Sequence, residues 1–158
     1  MDSVPQDLSD LELVYLARNA MKNAYCPYSK FPVGAVVVTE CGNFIMGCNV
    51  ENASYGGTIC AERSAICSAV SQGYTKFKAI AIATELADPA SPCGLCRQFL
   101  VEFGNYKVVI GTALNSKLLI TTTMDLLPNA FTPHSLAVFE QEKVAEKAEE
   151  EDSTKIST

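Results

Sequence analysis

The sequence predicts an α/β domain of three layers, α/β/α, built on a mixed sheet of about five strands. Two patterns carry that prediction. Val33–Thr39 and Phe77–Thr84 are apolar runs without polar alternation, as strands covered on both faces require. Around them lie segments whose apolar residues recur at helical spacing, so helices supply the covers. With 158 residues, 48% of them hydrophobic, the chain suffices for one domain with a real core and is short for two.

Ser9-Asp10-Leu11-Glu12 reads as a capping box, and Leu11, Val14, Tyr15, Ala17, Met21 and Ala24 continue it as an amphipathic helix over about residues 10–25, closed by Pro27. Val33–Thr39 is the first strand; Cys41-Gly42-Asn43 supplies turn chemistry, and Phe44–Val50 returns as its partner. A loop follows over Glu51–Thr58. Ala61–Gln72 is rich in helix formers, with Gly73 where a C-terminal glycine belongs. Phe77–Thr84 is a buried strand, Asp88–Ser91 a loop, and Pro92 stands in the first turn of a helix to Phe103, closed by Gly104. Lys107–Gly111 and Leu118–Thr123 are the last strands, and Met124–Leu127 a helical turn. Right-handed crossovers put the helices after Cys60 and Cys93 on one side of the sheet. The domain is expected over residues 1–139, with an acidic tail over 140–158 as a solvated helix or disorder.

Charge narrows the function. The net −6 is uneven: residues 140–158 hold seven acidic and three basic residues, and the other 139 hold eleven and nine. No basic stripe is visible to neutralise phosphates, so nucleic acid is not an expected partner and substrates should be small and weakly charged. Seven cysteines is an odd count, Met1–Glu12 has no apolar leader run, and no stretch approaches a bilayer span. A reducing, cytoplasmic setting with thiols free for metal is expected, without a membrane partner.

The chemistry concentrates in Cys60-Ala61-Glu62-Arg63 and Pro92-Cys93-Gly94-Leu95-Cys96-Arg97. Three thiolates can hold zinc while leaving a fourth position for water, and a nearby carboxylate that is not a ligand can move protons. Both clusters fall at helix starts, where peptide dipoles favour thiolates. Three thiolates leave a dication net negative; Arg63 or Arg97 can offset this, and Arg63 is the expected donor to sulfur. Two plainer readings compete. A redox Cys-x-x-Cys leaves Cys60 and Glu62 without a role; a structural zinc needs a fourth ligand, for which His134 or Cys67 is available, although Cys67 fits better as a core residue. Cys26, Cys41 and Cys48 read as ordinary buried or loop cysteines.

Taken with Ala24-Tyr25-Cys26-Pro27-Tyr28-Ser29-Lys30-Phe31-Pro32-Val33-Gly34-Ala35, Asn49-Val50-Glu51-Asn52-Ala53-Ser54-Tyr55 and Leu126-Leu127-Pro128-Asn129-Ala130-Phe131, the metal motif resembles the small homotetrameric class of cytidine deaminases over about residues 10–136. That resemblance implies one Zn²⁺ per subunit on Cys60, Cys93 and Cys96, with Glu62 as proton shuttle. It further implies that Asn49 and Glu51 hold ribose hydroxyls and that Phe31 packs beside the pyrimidine. Ala61 main chain and Glu62 would read the pyrimidine edge, and Tyr55 and Phe131 would reach toward a neighbouring subunit's site. The implied reaction is hydrolytic deamination of free cytidine and deoxycytidine in pyrimidine salvage. A blasticidin S deaminase shares the metal core but lacks Asn-Val-Glu-Asn in this form; a polynucleotide deaminase needs a basic surface; and a non-catalytic zinc module has no need of Glu62.

Overall fold

A computed structural model describes residues 8–155, with side chains to 148. Residues 1–7, which include most of the segment expected to lack a leader run, and 156–158 lie outside the description. Two compact units divide at Pro128.

The first unit is the expected three-layer domain. Helix α1 (Asp10–Met21) starts on the predicted box: Glu12 N–H donates to Ser9 Oγ at 3.4 Å, and Ser9 N–H donates to Glu12 Oε2 at 2.8 Å. Strands β1 (Val33–Thr39) and β2 (Phe44–Cys48) form an antiparallel hairpin, and α2 (Ala61–Ser71) leads to β3 (Phe77–Thr84). Helix α3 (Gly94–Val101) crosses to β4 (Lys107–Thr112), parallel to β3; β5 (Leu118–Thr122) and the single turn α4 (Thr123–Leu126) complete the unit. The sheet order is β2-β1-β3-β4-β5.

Period-two alternation sorts the central strands into two cores. Val36 and Val38 of β1, Ala79, Ala81 and Ala83 of β3, and Val109 of β4 face α1 through Leu13, Val14 and Ala17. Ala35, Val37, Ile80, Ile82, Val108 and Ile110 face α2 and α3 through Ala65, Ile66 and Leu100. The two cysteine-bearing helices therefore share one side of the sheet. Small residues set how closely the layers approach. A Cβ on Gly47 would stand 2.8 Å from Ala61 O and 2.7 Å from Ala65 Cα, so β2 lies flush against the start of α2.

Several boundaries differ from expectation. Helix α1 ends at Met21 rather than near residue 25, because the chain turns to pair with the segment after β2. Tyr25 N–H donates to Asn49 O at 3.0 Å and Glu51 N–H to Tyr25 O at 2.8 Å. That pairing also takes the place of β2 beyond Cys48. Pro92 precedes α3 instead of opening it; Cys93, extended at φ −66°, ψ 167°, is the N-cap. Cys67 is exposed, not in the core. The buried stripe of α2 is Ala61, Glu62, Ala65, Ile66 and Ala69, and Cys67 is rotated off it.

The second unit, from Asn129, consists mainly of α5 (Pro133–Lys155), with Pro133 at its first helical position. The boundary expected at 139/140 falls inside this helix, whose start is fixed by Pro133 rather than by the onset of acidic residues. His134 is exposed on its first turn. Among the described residues, no helix is long and apolar enough to cross a membrane.

Candidate metal centre and substrate pocket

Cys60 and Cys93 are the N-caps of α2 and α3, and neither thiol is spent on capping. Cys96 follows one turn into α3 and is buried. Because both helices start at the same end of one face, the three Sγ atoms lie within 4.8 Å of one another, with Cys60 and Cys93 at 3.8 Å. Among the described residues no other His, Cys, Asp or Glu joins this cluster. Cys67 is not a fourth ligand to it, and His134 belongs to the second unit.

The electrostatics favour a soft dication. The Cys96 thiol, together with the Arg63 guanidinium, brings the Cys60 thiol down to about 5. Cys96 is pushed far up, its proton held toward Cys60 and its charged form disfavoured by burial. The thiols thus share a proton that a bound cation would displace. Arg63 Nη2 donates to Cys60 Sγ at 3.8 Å and to Thr58 O at 3.1 Å, while its buried Nε has no acceptor among the described residues. A cationic group with an unspent donor beside three thiols matches a cluster that carries excess negative charge when all three ionise. The donor set therefore fits Zn²⁺, with Cys60, Cys93 and Cys96 as ligands. Arg97 is engaged elsewhere: Nε donates to Pro92 O at 2.8 Å and Nη1 to Leu126 O at 3.0 Å, tying the α3 entry to α4.

Glu62, in the first turn of α2, is buried, and that burial is the main reason its carboxyl is pushed up from the ordinary range; the nearby Cys60 adds to it. Glu62, Ala61, Cys60 and Cys93 line a cavity of about 280 Å³, the scale of a small-molecule site. Phe31, Asn49 and Glu51 line the same cavity. Tyr55 sits in a 3-10 turn (Tyr55–Gly57), its ring 5.7 Å from that of Tyr28, beside an adjoining hollow that shares Ser29, Glu51 and Thr58. Phe131 is exposed and belongs to the second unit.

Sequence reasoning passed over two contributors. Ser29 lines the cavity and its Oγ accepts from Phe31 N–H at 3.1 Å; Thr58 lines it and its carbonyl anchors Arg63. Neither residue type announces a role in a cavity; the two-residue spacing of Ser29 and Phe31 signals only a local Ser turn.

The family model described as the cytidine and deoxycytidylate deaminase zinc-binding region matches residues 8–112. The chain is 49% identical over 121 residues to a probable cytidine deaminase of Dictyostelium discoideum, covering 76% of this chain and 82% of that protein. It is 45% identical to the cytidine deaminase of Sporosarcina psychrophila over 127 residues, 80% of this chain and 93% of that one. The crystal structure of cytidine deaminase from Burkholderia pseudomallei superposes with a TM-score of 0.75 at 44% identity, covering 78% of this chain and all of that chain. With its fold, its three-thiol cluster and these similarities agreeing, the chain belongs to the cytidine and deoxycytidylate deaminase family.

Proposed function

We infer that the protein is a zinc-dependent deaminase that hydrolyses free cytidine and deoxycytidine to uridine and deoxyuridine, with release of ammonia. One observation carries the reading: a three-thiol cluster and a buried carboxylate open onto the same cavity as a polar strand end and an aromatic ring. A structural zinc site has no use for that cavity.

When bound by Cys60, Cys93 and Cys96, Zn²⁺ makes water acidic enough to serve as a nucleophile near neutral pH. Glu62 takes a proton from the attacking water and delivers it to N3 of the ring as the oxygen bonds to C4. It then carries the proton of the new C4 hydroxyl to the amino group, which leaves as ammonia; the C4–N bond breaks as the carbonyl forms. A carboxyl held above its ordinary range suits this two-way traffic, since it neither clings to the charge nor loses the proton too early. Ala61 main chain and Glu62 read the pyrimidine edge, Phe31 packs beside the ring, and Asn49 and Glu51 hold the sugar hydroxyls. Arg63 moderates the charge of the thiolates. The enzyme works in pyrimidine salvage in the cytoplasm, as a homotetramer in which Tyr55 and Phe131 extend toward a neighbouring subunit's site.

The decisive assay follows cytidine consumption and ammonia release by the zinc-loaded protein. Glu62→Gln should keep stoichiometric zinc and lose at least about a hundredfold in kcat, the scale of a lost general acid–base. Wild-type turnover in that variant would remove Glu62 from the mechanism.

A further inference from the structure

The segment that carries Phe31 adopts a conformation that ordinary strand pairing does not hold. It leaves a tight turn closed by Lys30 N–H donating to Cys26 O at 3.1 Å, and Lys30 itself sits at φ +57°, the left-handed region that a lysine rarely occupies. Pro32 follows and has no N–H to give a neighbouring strand. Phe31 is thus placed between a strained residue and a residue that cannot donate, and side chains make up the deficit. Ser29 Oγ accepts from Phe31 N–H at 3.1 Å. Asn49 Nδ2 donates to Phe31 O at 2.9 Å, and Asn49 Oδ1 accepts from Val33 N–H at 2.8 Å.

The Asn49 amide therefore imitates one peptide unit of a partner strand across Pro32. Its own backbone adds a third tie, Asn49 N–H donating to Val33 O at 3.2 Å. Only 7% of Asn49 is exposed, so these bonds are made away from bulk water, where a lost partner is felt most. One N–H and one lone pair of the amide are left over for a sugar hydroxyl.

We propose that Asn49 is a positioning residue for Phe31: its amide clamps the backbone on both sides of Pro32 and so sets the ring wall of the substrate cavity, independently of any hydrogen bond it makes to the sugar. Asp is the informative alternative at this position. It keeps an acceptor for Val33 N–H and the side-chain volume, but it offers an oxygen where Phe31 O requires a donor.

The proposal rests on the deaminase reading, and the test separates the two. The zinc-loaded wild type, Asn49→Ala, Asn49→Asp, Phe31→Ala and the Asn49→Ala/Phe31→Ala pair are assayed on cytidine and on 3′-deoxycytidine, with zinc content and thermal unfolding measured alongside. Asn49→Ala should lower kcat/KM by about ten- to a hundredfold, as a misplaced binding wall does. The loss should persist at about tenfold or more on 3′-deoxycytidine, where no 3′-hydroxyl is held, and on that substrate Asn49→Ala should cost less than about threefold in the Phe31→Ala background, because coupled residues are non-additive. Asn49→Asp should match Asn49→Ala, and it carries the test if the alanine variant does not fold. A loss confined to cytidine, or the full loss on 3′-deoxycytidine repeated without the Phe31 ring, overturns the positioning role and leaves the deaminase intact. A zinc-loaded wild type that does not deaminate cytidine overturns both.

Discussion

At the scale of single residues, Glu51 shows how one side chain both lines the cavity and closes a turn. Its Oε2 accepts from Tyr28 N–H at 2.9 Å and Ser29 N–H at 3.2 Å, closing the turn that precedes Phe31. The Ser29 side chain, followed by these two backbone donors, holds the carboxyl below its ordinary value of 4.5. The sign follows from linkage: a depressed folded-state value means that ionised Glu51 supports the turn, that this support is complete above the ordinary value, and that it disappears as pH falls through the lower, folded-state one. A side-chain carbon NMR titration should therefore give Glu51 a midpoint below 4.5, with exchange protection of the Tyr28 and Ser29 amides lost through the same pH range. A midpoint above 4.5 would show that the turn does not rely on the charge.

At the scale of elements, the metal centre depends on how β2 meets α2. Gly47 has no side chain where Ala61 and Ala65 approach, and α2 carries Cys60 as its N-cap and Glu62 in its first turn. Gly47→Ala forces those backbones apart. It should destabilise the protein by about 1–3 kcal/mol, the usual cost of overpacking, and lower zinc retention. Gly56→Ala is the control, because a Cβ there meets open space. Equal unfolding temperatures and equal zinc content for the two variants would refute the spacing argument. Much of this level was legible in the sequence. The doubly covered strands β1 and β3 announce themselves by unbroken apolar runs, α1 by its capping box, and the thiols and Glu62 by spacing around two helix starts. What escaped was decided by long-range contacts: α1 stops early because Tyr25 pairs beside Asn49, Cys67 is turned out by the pitch of α2, and the Asn49 amide meets a segment 16 to 18 residues earlier.

At the scale of the whole molecule, the first unit by itself leaves part of the site open. Tyr55 is 75% exposed and flanks the hollow beside the substrate cavity, and an active site that must control water gains from a cover over such an opening. If a neighbouring chain supplies that cover through Phe131, two differently damaged chains can repair each other. Phe131→Ala should lose about tenfold or more in kcat/KM while keeping zinc, and Glu62→Gln should be nearly inactive for its own reason. Refolding or exchanging the two together gives mixed assemblies in which some sites combine an intact Glu62 with an intact Phe131 from next door. Activity in the mixture should then exceed the sum of the separate variants and should track the population of assemblies larger than the monomer in light scattering. Each site would need one intact Glu62 and one intact Phe131, regardless of which chain provides each. A mixture no more active than its parts, or a monomer with full activity, would mean that every chain completes its own site.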